Sequence, residues 1–394
     1  MTGYYTEPPE PGMVRGDARA VMAWPARAGA VDRIMALLDT LHRWAGGLLG
    51  LILAVLGLTG AVLVHRDAWI WLPHAGDAPV RDPRALADVV ERLLADPAAR
   101  PQGIVFAGPN LGLHRLDFGK GAGAYTDQAG TIVRQWQSQW ERPELWLFDL
   151  HHHLFAGDVG ETVIGIAGVV GLLFVVTGTI LWWRTRKTFA FRLLPKRLSR
   201  PAIVRHHRDL GIVAAPLLIL SLLTGATLVF RPLTAVFLGP GAPATIDAAL
   251  KPPTAPDVPL ARTLDWRAMM LTAQARFPDA EPRTLMLPRK GNGMVTLRLR
   301  RPQEWLPNGR TTLWFAADTG RLIGARDAAT LPTAATVFNM LYPLHAAKVG
   351  GLGYRLVMTL SGLALGLLGS LSVWSFWFRR RTPARPVRVP AGEG

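Results

Sequence analysis

Four apolar segments, at 44–64, 162–183, 210–230 and 354–378, dictate what this chain can fold into. Each runs about 20 residues almost without charge, enough for a helix to cross a hydrocarbon core of about 30 Å. A helix buried in a soluble core would ordinarily keep a polar face, and these segments have none. The expected fold is a mainly α membrane protein with four transmembrane helices, and two long loops of α+β pattern between them.

The spans carry an internal two-helix repeat. His42-Arg43-Trp44-Ala45-Gly46 is followed by Thr59-Gly60, and His207-Arg208-Asp209-Leu210-Gly211 by Thr224-Gly225; in both, the histidine stands 17 residues before the threonine. Leu150-His151 before Ala156-Gly157 resembles Leu344-His345 before Gly350-Gly351, and Trp182-Trp183-Arg184 matches Trp377-Phe378-Arg379. An ionisable side chain at a bilayer edge is costly and is usually kept for function. Neutral imidazole is also the commonest axial ligand of a haem iron held between helices. Chain direction sets His42 and His207 at one membrane face, and His151 and His345 at the other. With the repeats packed pseudo-symmetrically, each pair can hold one iron through two imidazole nitrogens. A single haem cannot bridge about 30 Å, so two haems, one near each face, are expected as an electron relay. The chain has no cysteine, which excludes thiolate ligation, iron–sulfur clusters and covalent haem attachment, so any haem here is non-covalent.

Other residues leave alternatives open. Three consecutive histidines cannot share one helix face, so one of His151, His152 and His153 ligates while the others face water or a substrate metal; the repeat favours His151. His206 competes with His207, which the repeat favours. His65, whose repeat partner is Phe230, is a contact to the outer haem, a contact to the substrate, or a plain interfacial histidine. Gly46, Gly50, Gly211, Gly362, Gly366 and Gly369 either line a flat cofactor or let helices pack closely. Thr59 and Thr224 either bond back to their own helix or reach a haem propionate.

The net charge of +16 invites a nucleic-acid reading, but its distribution argues for none. Residues 184–208 hold nine Lys or Arg and no acid, and five Arg follow from Arg379. These runs follow the second and fourth spans, as cytoplasmic flanks do. The implied topology is a multi-pass inner-membrane protein with both termini cytoplasmic and both long loops periplasmic. The first apolar run begins near residue 44 and lacks a cleavage pattern, so it is expected to stay as an anchor. The chain then divides into a disordered arm at 1–30, helices at 31–65, 151–184, 207–230 and 346–379, a basic loop at 185–206, long loops at 66–150 and 231–345, and a tail at 380–394.

In the first loop, helical periodicity covers 83–95 and strand-like runs cover 103–107, 113–118 and 131–136, with a turn at Asp127-Gln128-Ala129-Gly130. In the second, a Pro/Gly-rich linker at 239–259 precedes a helix at 264–277, strands near 284–287, 294–300 and 311–316, and a turn at Asp318-Thr319-Gly320. Its excess of six positive charges is either a solvated surface or an attraction for an anionic metal chelate. Trp136, Trp305 and Trp314 are core aromatics or line a cleft.

With these pieces in order, residues 35–382 resemble the PepSY-associated transmembrane proteins, or iron-regulated membrane proteins, which include inner-membrane ferric-siderophore reductases. The matching pieces are the His42 and His207 motifs with their Thr-Gly pairs, Leu150-His151-x-x-Leu154 with Thr177-Gly178, and Pro343-Leu344-His345 with Gly350-Gly351. Tyr125-Thr126-Asp127 to Gly130 and Asp318-Thr319-Gly320 look like ends of PepSY repeats. The resemblance implies a four-helix core with two PepSY-like periplasmic domains, and b-type haem on His42, His151, His207 and His345. It also implies outward electron transfer to Fe(III) in a siderophore, released as Fe(II). The chain departs from the pattern in the extra His152 and His153, in His65, and in a fourth span without Thr-Gly.

The expected function is a di-haem ferric-siderophore reductase. Its electron donor is a separate quinol or cytoplasmic reductase, because no Gly-x-Gly-x-x-Gly follows a strand. The alternative is a non-enzymatic, membrane-anchored PepSY module that binds a periplasmic peptidase or another protein.

Overall fold

The computed structural model describes residues 29–378, so the disordered arm assigned to 1–30 lies outside the described residues except at its end, and the tail at 380–394 lies wholly outside them. Among the described residues, four helices are long and apolar enough to cross a membrane. They are α1 (Ala30–Leu63), α4 (Gly157–Thr185), α5 (Arg200–Val229) and α10 (Gly351–Trp377). The chain is a membrane protein built on this four-helix bundle.

Small residues bring the helices together. A side chain at Gly57 would strike the Gly362 carbonyl, and one at Gly369 would strike that of Gly50, so α1 and α10 pack backbone to backbone. The second pair repeats the device more loosely: Gly168 lies against Ala226, and Gly171 against Leu222, between α4 and α5. Such close approach gives helices in lipid their van der Waals attraction, since burial from water supplies none there. Both pairs are antiparallel, and exchanging α1 with α5 and α10 with α4 maps one onto the other, as the internal repeat requires.

His151 and His345 do not sit on the spans. The first lies on a short helix, α3 (Pro143–His153), and the second ends α9 (Thr333–His345). Each short helix is followed by a sharp reversal into a span. Leu154 and Phe155 take φ of 47° and 60° before Gly157, and Ala347 takes 49° before Gly350 and Gly351. Non-glycine residues rarely hold such left-handed conformations. The second and fourth spans thus begin at Gly157 and Gly351, after the reversal and not at the histidine.

The two long loops fold in the order helix then strands. The first supplies α2 (Pro83–Leu94), β1 (Gly103–Val105), β2 (His114–Gly119), β3 (Ala122–Thr126) and β4 (Ile132–Trp136). The second supplies α6 (Thr234–Leu238), α7 (Ala242–Leu250), α8 (Trp266–Arg276), β5 (Glu281–Met286), β6 (Met294–Arg300), β7 (Thr311–Ala316) and β8 (Leu322–Arg326). Helix α2 starts on Pro83, with the Asp82 carboxylate accepting from the Arg84 and Ala85 amides; Asp265 caps α8 in the same way.

All eight strands form one antiparallel sheet in the order β4-β3-β2-β1-β5-β6-β7-β8. Its halves join where β1 pairs with β5, in the register Gly103↔Met286, Ile104↔Leu285, Val105↔Thr284. Helices α2 and α8 pack on the sheet over a shared core that includes Leu86, Val90, Met270, Leu285 and Leu313. Pairing β1 with β5 covers what would be an open edge on each half.

Candidate functional site

The four repeat histidines come together as two facing pairs. His42 and His207 have ring centroids 6.3 Å apart, and His151 and His345 have theirs 6.1 Å apart. An ion bonded to one nitrogen of each ring at about 2 Å, with about 1.1 Å more to each ring centre, would separate coaxial centroids by about 6.2 Å. Both pairs therefore have ring spacings that leave room for one metal ion between them.

The threonines of the Thr-Gly motifs orient these rings. Thr59 gives its hydroxyl proton to the Val55 carbonyl (2.7 Å), while its oxygen lies 2.8 Å from His151 Nδ1. With the only hydroxyl proton engaged, the oxygen must accept, so His151 carries its proton on Nδ1. Thr177 acts identically, donating to Leu173 (2.7 Å) and accepting from His42 Nδ1 (2.8 Å). Thr224 donates to Leu220 (2.6 Å) and lies 3.2 Å from His345 Nδ1, which also faces the Ser221 carbonyl at 3.1 Å. A carbonyl can only accept, which fixes the same tautomer. In all three rings Nε2 is left with a bare lone pair, the form that binds a metal. The glycines after the threonines make room: a Cβ on Gly60 or Gly225 would press on Cε1 of His151 or His345, at 3.1 Å and 2.8 Å.

The fourth pairing is different. Counting from the starts of α4 and α10, Thr177-Gly178 corresponds to Leu371-Ser372. Without a hydroxyl there, His207 Nδ1 is buried against the Leu368 carbonyl and makes no hydrogen bond of normal geometry.

Each pair sits in a cavity. The inner one, the farther from the sheet, is about 780 Å³ and is lined by His42 and His207 with Gly46, Gly50, Gly211, Gly369 and Phe174. The outer one, about 320 Å³, holds His151 and His345 with Gly57, Gly60, Gly168 and Gly225. Among the bundle glycines, Gly50 and Gly369 both pack helices closely and line a cavity. Leu222 and Leu365 line both cavities, so one leucine layer divides them.

The remaining candidates lie elsewhere. His206 is buried and lines neither cavity, and its Nε2 has no partner among the described residues. His65 bonds through Nε2 to Thr359 Oγ1 on α10 (2.9 Å) and also lines neither. His152 forms part of the outer cavity wall, and His153 bonds through Nδ1 to Asp149 (2.9 Å).

A third cavity, about 500 Å³, lies between the sheet and the bundle. Arg66, Arg115, Arg283, Arg298, Arg300, Arg355 and Lys348 line it, against Asp67 and Glu144. Lys348 is spoken for by Asp67 at 2.8 Å, and Glu144 by Arg142 at 2.7 Å. Arg355 Nε is buried without a partner among the described residues. Burial lowers the Arg298 pKa, with the nearby Glu304 pulling the other way. Cations buried with too few acids make an anion site. Arg66, Tyr342 and Lys348 line this cavity and the outer histidine cavity alike, so the two adjoin. Trp305 lines the basic cavity, whereas Trp136 and Trp314 are buried in the sheet domain.

The arginines were not legible individually, because they come from both loops, from α10 and from the ends of spans. His114, not singled out in the sequence, is wholly buried at the start of β2. Its Nδ1 accepts the Ala107 amide at 2.9 Å, and burial pushes its pKa down to about 4.

Fold and site together define a class: a four-span membrane protein whose bundle carries two facing histidine pairs beneath a sheet assembled from both loops. The chain belongs to the PepSY-associated TM region family, whose model matches residues 40–380. It is 30% identical over 258 residues to the uncharacterized protein PA4219 of Pseudomonas aeruginosa. That match takes in 62% of this chain and 65% of the relative, just under two thirds of its length.

Proposed function

We propose that this protein is a b-type di-haem reductase of the bacterial inner membrane. It carries electrons from the cytoplasmic side, or from the quinol pool, to a ferric siderophore in the periplasm, which then gives up Fe(II). The observation that carries the reading is two facing histidine pairs in which three rings, His42, His151 and His345, have Nδ1 engaged by a threonine, leaving Nε2 for a metal. His42 and His207 would hold the inner haem, and His151 and His345 the outer. Bound there, haem would supply one-electron storage at two depths of the membrane.

The basic runs at 184–208 and after Arg379 support a cytoplasmic location for the inner pair and for both termini. The exposed apolar faces of the four spans, such as Leu51, Leu173 and Leu360, suit lipid. The arginine-lined cavity supports an anionic chelate as substrate, taken up next to the outer pair. There Arg115 and Arg355 would bind the ligand's oxyanions, while Trp305 offers an aromatic face. Reduction weakens the grip of oxygen donors on iron, so the metal leaves the chelate. The chain offers no nucleotide-binding loop of its own, so the donor is a quinol or a cytoplasmic reductase.

The deciding experiment is the absorption spectrum of the detergent-purified protein, oxidised and dithionite-reduced, with haem counted per chain. Reduced b-type bands at about two haems per chain are expected, reoxidised by ferric siderophore. A colourless protein after haem-replete expression would sink this reading and favour the protein-binding module.

A further inference from the structure

Beside the outer pair stands a second group of potential metal ligands. His152, His153 and Glu161 each offer one ligand atom, all within 4.8 Å of one another. Successive helical residues ordinarily point about 100° apart. Here α3 ends at His153 and Leu154 turns left-handed, and the two rings converge to 4.5 Å between centroids. His152 Nδ1 and His153 Nε2 lie 3.1 Å apart. Two nitrogens bound to one ion at about 2.1 Å, at right-angled to tetrahedral geometry, stand about 3.0–3.4 Å apart. The two nitrogens, which share a hydrogen bond, are thus already at the separation of two ligands side by side.

Each donor is held by its own support. His152 stacks on Phe148, one turn earlier, at 5.3 Å and 13°. His153 Nδ1 lies 2.9 Å from Asp149 Oδ1, and Asp149 Oδ2 accepts from Gln139 Nε2 at 3.0 Å. A carboxylate accepts, so His153 carries its proton on Nδ1 and turns Nε2 toward His152 as a lone pair. A carboxylate behind a ligating histidine is the usual support of a protein metal site. Glu161 comes from the first turns of α4, which reaches the end of α3 only because Gly160 has no side chain: a Cβ there would overlap the His153 carbonyl. The Glu161 carboxylate makes no hydrogen bond or salt bridge among the described residues that would occupy it otherwise.

We propose that His152 Nδ1, His153 Nε2 and Glu161 form a binding site for a divalent first-row transition-metal ion. Two imidazoles and one carboxylate suit Zn(II), Co(II) or Fe(II), and leave the remaining positions open to water or an incoming ligand. Because His152 also forms part of the outer cavity wall, the ion sits at the edge of that cavity. The site is separate from the His151–His345 pair and does not depend on what that pair holds.

Equilibrium dialysis of the full chain in detergent against Co(II), with bound metal counted by mass spectrometry, tests this. One Co(II) per chain is expected, bound about tenfold or more weakly in both Glu161→Gln and His153→Ala and unchanged in His74→Ala, which alters a histidine elsewhere on the surface. Asp149→Asn keeps all three donors but loosens His153, and should weaken binding by an intermediate factor. Melting curves establish that each variant folds, and His152→Ala replaces His153→Ala if the latter does not. No Co(II) on the intact chain, or binding unchanged in Glu161→Gln and in the histidine variant, overturns the proposal. Cobalt is counted independently of haem, so this result and that of the haem spectrum can fail separately.

Discussion

Thr59 Oγ1 lies 2.8 Å from His151 Nδ1 while its own proton is held by Val55, so a residue of the first span decides which nitrogen of a histidine on α3 is free. Replacing Thr59 by valine keeps the shape and removes the acceptor. Loss of such a support behind a metal-ligating histidine costs about 10–100-fold in affinity. Thr59→Val is therefore expected to release the outer group during dialysis and to keep the inner one, read as haem per chain falling from about two toward one.

His345 and His65 lie on the same side of the bundle but differ in surroundings. His345→Ala should remove the outer centre and abolish siderophore reduction while leaving one haem per chain. His65→Ala, which breaks only the bond to Thr359, should retain both centres. Equal haem loss in the two variants would count against the pairing.

Arg115 and Arg355 line the basic cavity, and among the described residues neither is paired with an acid as Lys348 is with Asp67. Arg115→Ala is expected to raise KM for an anionic ferric chelate about tenfold, the effect of losing one charged hydrogen bond. Its kcat should change little, and the effect should shrink as salt is added.

A methyl group at Gly362 would meet the Gly57 carbonyl at 2.5 Å and Ala61 at 3.0 Å. The obstacle is backbone, which cannot swing aside. Gly362→Ala should push α1 from α10 and cost about 1–3 kcal/mol, visible as a lower melting temperature in detergent.

His114 titrates at about 4 in the folded sheet against 6.5 when free. The unfolded chain therefore takes up a proton first as pH falls. The stability that goes with the neutral buried ring is fully present above pH 6.5 and is lost progressively as pH falls toward 4, on the order of 3 kcal/mol in all. Tryptophan fluorescence during denaturant unfolding at several pH values should show that slope, and His114→Gln should flatten it.

Much of this was readable from residues. The apolar runs gave the spans because lipid demands length and a polar-free surface, and the repeat paired His42 with His207 and His151 with His345. Helices α2 and α8 and six of the strands also followed periodicity. Strands β3 and β8 escaped because Ala122-Gly123-Ala124 and Gly324-Ala325 lack the β-branched alternation that marks a strand. The separation of α3 from α4 escaped because its bend falls on Leu154 and Phe155, which no local rule marks as left-handed. The joining of β1 to β5 is a long-range pairing that neither loop announces alone. The role of Thr177 is not marked locally, since the histidine it orients lies 135 residues away.

Helix α1 carries His42 near its start and, 17 residues on, the threonine that orients His151. At about 1.5 Å per residue, that interval is a rod of about 25 Å. It acts as a ruler: the gap between the two centres is set by a count of residues in one stiff element, and not by the loops. Loop sequences can drift without altering the separation of the two histidine pairs. A single inserted residue between His42 and Thr59 would swing one end by about 100° against the other and disconnect both.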